Sequence, residues 1–214
     1  MKSTRRVAIA GGSLLLATTV LGAGLTTGTA NADLDRRAGN EVHAKLHPLN
    51  DSGVRGHAMV DSSGRKLDVT VHARGLAKGL PHAQHIHYGE QARHECPTFK
   101  NDRNGDFRLN VAEGVPGYGP IAVSLTTKGD SSPESGLAVD RFPTAPNGKV
   151  SYDRDVRTQR AVARAIRNGE GVVVVHGVDY NKNGQYDFDS AGASELNDAV
   201  PAEATDPAAC GVLK

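Results

Sequence analysis

The chain has 214 residues, with 25 Lys and Arg against 24 Asp and Glu, no tryptophan and only 4% aromatic residues. A charge balance this close to neutral, without a basic cluster or interleaved aromatics, gives nucleic-acid binding little support. The length suits one domain with a real core once an N-terminal leader is set aside.

That leader reads as a secretion signal over residues 1–32. Lys2, Arg5 and Arg6 make a basic start, and an apolar, Gly-interrupted stretch runs from Val7 to about Leu25. Ala30-Asn31-Ala32 then has the small-x-small form of a cleavage site. The glycines and the short apolar region argue against a transmembrane anchor. The Arg5-Arg6 pair points to twin-arginine export, but Val7-Ala8 fits that signal poorly and ordinary secretion is favoured. The expectation is an extracellular domain over 33–214, off the membrane after cleavage, with 22 basic minus 24 acidic residues, or −2.

Residues 33–39 read as a polar arm. Glu41 to Leu49 and Val54 to Val60 are predicted strands. Asp61-Ser62-Ser63-Gly64 supplies a turn. Lys66 to Ala73 then alternates apolar and polar residues, as a half-buried strand does. Ala83 to Tyr88, Phe107 to Val111 and Ile121 to Thr126 are further strand candidates. A Gly, Ser and Pro-rich loop covers about 128–148 and leads into a strand from Lys149 to Val156. Thr158 to Asn168 predicts one short helix. Its Ala161, Val162, Ala165 and Ile166 stand at helical spacing, and Gly169 is its left-handed stop. Val172 to His176 is a buried strand, and Cys210 to Leu213 a last short one. Many short strands with Gly-rich turns predict an all-β barrel or sandwich. No internal repeat and no second domain stand out.

Three fragments carry chemistry. His85-Ile86-His87 on a strand puts two imidazoles on one sheet face, because side chains alternate with period two. His176, ending a β-branched run, can complete a three-nitrogen site suited to copper or zinc. The alternative is a buried, hydrogen-bonded histidine cluster. His82 and His94 read as surface loop histidines; His43, His47, His57 and His72 read as structural or exposed. Cys96 and Cys210, far apart in an exported chain, are most simply read as a disulfide.

Together these fragments resemble the copper–zinc superoxide dismutase family, a Greek-key β-barrel. Gly75-Leu76-Ala77-Lys78-Gly79-Leu80 is similar to that family's Gly-Leu lead-in, and His85 and His87 to its first two copper ligands. Cys96 follows His87 by nine residues, the family's spacing to its first disulfide cysteine. His176 resembles the last copper ligand, and Ala209-Cys210-Gly211-Val212 the terminal motif with the second cysteine. The resemblance implies superoxide or another small molecule as substrate.

It also has gaps. The histidine that bridges copper and zinc is replaced by Asp102, and no histidine stands between Cys96 and His176, so the zinc site is absent. Pro207 occupies the place of the arginine that draws superoxide to copper. The chain therefore resembles a zinc-lacking relative. A sibling resemblance is the chordin-type (CHRD) domain, through Ala83-Gln84-His85-Ile86-His87 and the helix-Gly-strand run from Ala161 to His176. That likeness implies a non-catalytic extracellular binding or structural module. No catalytic residue is assigned.

One further constellation is Asp179, Asn181, Asn183 and Asp187. The Asp-x-Asn-x-Asn-Gly opening matches the start of a calcium loop, with oxygen ligands at alternate positions and Gly184 at the turn. Position twelve is Ser190 where such loops carry a bidentate Glu, and Asp189 stands beside it. The alternative is a set of Asx-turns. Asp102-Arg103-Asn104-Gly105-Asp106 is a weaker version. Phosphate-loop, dinucleotide and hydrolase motifs are absent.

Overall fold

The computed structural model describes residues 40–214, so the predicted leader and the polar arm after it lie outside the described residues. Ten strands form: β1 (Glu41–Pro48), β2 (Arg55–Ser63), β3 (Lys66–Arg74), β4 (Gln84–His87), β5 (Ile121–Ser124), β6 (Lys149–Arg157), β7 (Val172–His176), β8 (Ala193–Ser194), β9 (Asn197–Pro201) and β10 (Pro207–Val212). Eight pair into one antiparallel sheet in the order β5-β4-β7-β10-β1-β2-β3-β6. β1 to β3 form a meander, while β10 returns from the far end of the chain to lie beside β1, as in a Greek key.

The sheet curls around a core that draws on every part of it. Leu46, Val60, Val69 and Tyr152 from one half pack with Ile86, Val173 and Val175 from the other. The edge strands approach through side chains. Tyr152 Oη donates to the Thr126 carbonyl at 3.2 Å, and Arg154 Nη1 donates to the same carbonyl at 2.7 Å. The all-β barrel or sandwich expectation holds.

Burial separates the two halves of the sheet. β1, β3 and β6 alternate buried and exposed residues, the pattern of a sheet with one wet face. β4 and β7 are buried at every position. Their inward residues enter the barrel core. Their outward residues are covered by loops and by α1 (Val111–Tyr118). The disulfide Cys96–Cys210, with Cα atoms 5.7 Å apart, ties one of those loops to β10.

Three helices form. α1 is capped by Asn110, whose side chain accepts from Glu113 N at 3.0 Å, while Glu113 Oε2 accepts from Asn110 N at 3.1 Å. α2 (Arg160–Arg167) is the predicted short helix, and Gly169 follows it at φ 84°. It buries Ala163, Ala165 and Ile166 and leaves Ala161 exposed. α3 (Ala202–Thr205) is a single turn before β10.

The strand expected over Phe107 to Val111 does not form. Phe107 is left-handed at φ 62°, which breaks an extended run. The backbone of Leu109 pairs instead with one buried side chain. Asn50 accepts from Leu109 N at 2.7 Å, and its amide donates to Leu109 O at 2.9 Å and Pro207 O at 3.0 Å. Asn50→Ala removes all three bonds and leaves buried polar groups unpaired. We expect a loss of about 2–4 kcal/mol, read from the urea midpoint.

Candidate metal centre

The ladder registers place the three histidines. His85 lies opposite Val174 and His87 opposite Val172, and the His176 amide donates to the Ala83 carbonyl at 2.8 Å. Residues 85 and 87 on β4 therefore share the outward face with 172, 174 and 176 on β7. The imidazole centroids are 5.5 Å apart for His85–His87, 5.0 Å for His85–His176 and 6.1 Å for His87–His176. One ring nitrogen from each lies within 4.8 Å of the others, and all three residues are buried.

The remaining nitrogens fix the chemistry. His85 Nε2 faces the Gly136 carbonyl at 3.1 Å, His87 Nδ1 the Gly119 carbonyl at 2.8 Å, and His176 Nδ1 the Thr205 carbonyl at 2.6 Å. A carbonyl only accepts, so each ring carries its proton on that side. His85 Nδ1, His87 Nε2 and His176 Nε2 are then bare lone pairs, and no hydrogen-bond partner meets any of them. Three buried acceptors converging without a donor do not make a hydrogen-bonded cluster. They fit a cation, each ring held by a backbone carbonyl behind it.

Burial also keeps these rings neutral. It holds His87 down to about 3, helped by the adjacent His176, and His176 down to about 4. His85 falls well below the ordinary histidine value for the same reason, with His176 and His87 adding to the effect. Neutral imidazole is the ligating form.

Around the rings, Phe142 stands edge-on to His85 at 5.3 Å, and Tyr118 packs on His87 at 4.4 Å. The face opposite the sheet opens into a cavity of about 60 Å³.

His82 corrects its expected place. It is fully buried, where a surface loop residue was predicted. Its Nδ1 lies 2.9 Å from the His176 carbonyl and 3.2 Å from Tyr186 Oη, so it braces the strand end that carries His176. It belongs to no ligand group. His94 stays in its loop, bonded to the Gly89 carbonyl at 2.9 Å. His43, His47, His57 and His72 are exposed on the meander.

Asp102 organises a turn, accepting from Gly105 N at 2.7 Å and Phe107 N at 3.0 Å, and does not line the histidine cavity. Pro207 is buried on β10 opposite His176.

Asp179, Asn181, Asn183 and Asp187 come together, with Asn183 Nδ2 donating to Asp187 Oδ2 at 2.5 Å. The oxygens of Asp179, Asn181 and Asn183 accept from the loop's own N–H groups at 2.9–3.1 Å. These are Asx-turns, which hold the four side chains on one loop. Beneath it lies Glu203, fully buried, which accepts from Tyr180 N and Asp187 N. Sequence reading missed Glu203 and also Asp206, a buried carboxylate bonded to Arg108 at 2.6 Å and Tyr180 at 2.8 Å. Neither belongs to a recognisable motif.

No family model matches this chain, and no curated protein matches its sequence.

Proposed function

We propose that the chain is a secreted metal-binding protein whose His85, His87 and His176 hold a single copper ion, and that it is a zinc-lacking relative of the copper–zinc superoxide dismutases. The observation that carries this reading is the set of three buried lone pairs, each fixed by a backbone carbonyl on the opposite ring edge. Three neutral imidazoles suit copper in both oxidation states and also zinc. Bound copper would supply a one-electron couple, the chemistry that superoxide dismutation needs. The chain's own part is to hold the rings in one tautomer and to exclude bulk water from them.

The rival reading is a non-catalytic chordin-type module. Pro207 in the place of the steering arginine favours it, as does the helix α2 ending at Gly169 just before β7.

Copper and zinc titration of the mature protein tests the centre. His87→Ala should lower copper affinity by about 100-fold or more. His43→Ala, on an exposed residue bonded to Glu41, should leave it unchanged. Superoxide decay should be copper-dependent, zinc-independent, slower than in the complete family and lost in His176→Ala. Copper binding without activity above free copper would select the chordin-type module.

A further inference from the structure

The cavity above the three imidazoles has an unusual lining for a site that receives a small anion. Val111, Ile121 and Phe142 form its walls, and Leu137, Val139 and Leu196 stand 41–45% exposed at its rim. Among the described residues, no Lys, Arg, Asp or Glu lines it. Few polar side-chain groups are present. Tyr186 Oη faces His82, and Thr205 Oγ1 donates to Ser194 Oγ at 2.8 Å. The Gly136 and Thr205 carbonyls accept from His85 and His176. What remains unsatisfied in the lining is the three imidazole lone pairs.

We propose that this cavity binds a small molecule that reaches the metal through one donor atom and carries a short, uncharged, apolar body. The proposal rests on the metal reading above and adds the class of ligand to it. The reasoning is desolvation. A donor atom is compensated by the cation. A charged group further along the ligand would lose its water against Val111, Ile121 and Leu137 and meet no cationic side chain to replace it. An alkyl group there gains by leaving water. The volume, about 60 Å³, admits several water-sized groups and so a body of a few heavy atoms. The rim leucines and Val139 extend the same surface outward. They come from separate elements, the segment at 137–139 and the β8–β9 hairpin, and both present apolar side chains to the opening.

Alkyl isocyanides on the copper(I)-loaded protein test this, with the C≡N stretch followed by infrared spectroscopy. Isobutyl isocyanide and the isocyanoacetate anion are close in size and share the same metal-binding carbon. The neutral one should bind about 100-fold tighter or more, the cost of a carboxylate without a donor. From methyl to propyl isocyanide, affinity should rise about three- to fourfold per methylene. Leu196→Lys should shrink the preference to about tenfold or less while copper stoichiometry stays at one, since Leu196 lies at the rim and the ammonium gives the carboxylate the partner it lacks. Equal affinities for the two isocyanides, or a flat chain-length series, on protein that takes up one copper would overturn the ligand class and leave the metal centre standing. Failure to take up copper would overturn the metal reading, and this proposal with it.

Discussion

Metal-free protein is expected to lose about 2–3 kcal/mol of stability per pH unit as the pH falls from 6 to 5. The cause is the imidazole cluster. His85, His87 and His176 are held below the ordinary histidine value of 6.5 by burial, His87 to about 3 and His176 to about 4. The unfolded chain protonates all three near pH 6.5 while the folded chain does not. Stability is therefore complete above 6.5 and drains away as the pH falls toward the folded values. Asp206 works against this. Burial, opposed by Arg108 and Tyr180, pushes it up to about 7 from 3.8, so the folded state takes up a proton there that the unfolded chain does not. Three protons from the cluster on the unfolded side, with a part of a fourth from buried His82, against one on the folded side leave a net of about two, which sets the slope. Guanidinium midpoints at pH 7.5, 6 and 5 measure it, and Asp206→Asn should make it steeper. Midpoints that do not move between pH 6 and 5 would mean that the rings are not buried and neutral in solution.

Reduction of the disulfide should cost about 4–5 kcal/mol, because it opens a covalent loop of 114 residues. For a domain of this size the melting temperature should fall by about 10–15 °C. Cys210 stands opposite Val174 on β7, so the bridge also anchors the loop around Cys96 over the face that bears the histidines. Reduction should therefore loosen the metal site as well as the fold. Melting curves with and without reductant, together with copper titration of the reduced protein, check both parts. Two free thiols found in the purified, unreduced protein by mass mapping would remove the claim.

The strands of the meander were legible because alternation is a strong signal when one face is wet. Lys66 to Ala73 reads directly as β3. The site was legible through His85, His87 and His176, since period two on β4 and a buried run ending in histidine imply a shared face. Alternation misled at Phe107 to Val111, where Asn50 supplies the pairing that a neighbouring strand was expected to give. The Asn110-x-x-Glu113 capping box was the available sign that a helix starts there. His82 was misplaced because a lone loop histidine gives no sign that another loop covers it. β8, β9 and α3 lie in a polar segment whose order comes from Glu203 and Thr205, and neither shows periodicity.

The groups that hold the rings in one tautomer are main-chain oxygens of Gly119, Gly136 and Thr205, drawn from three separate segments, each at or just after the end of a helical turn. The oxygen itself belongs to no side chain, but Gly119, at φ 88° with Gly89 N 2.8 Å from where a Cβ would stand, must stay glycine. Outside that glycine, the orientation of the centre depends little on which side chains stand there and is exposed instead to insertions and deletions, which shift the chain by a residue and withdraw its carbonyl. Divergence in this chain should leave loop lengths around 119, 136 and 205 more constrained than the side chains they carry. A one-residue insertion beside Gly136 should disturb the metal site more than any substitution of its neighbours.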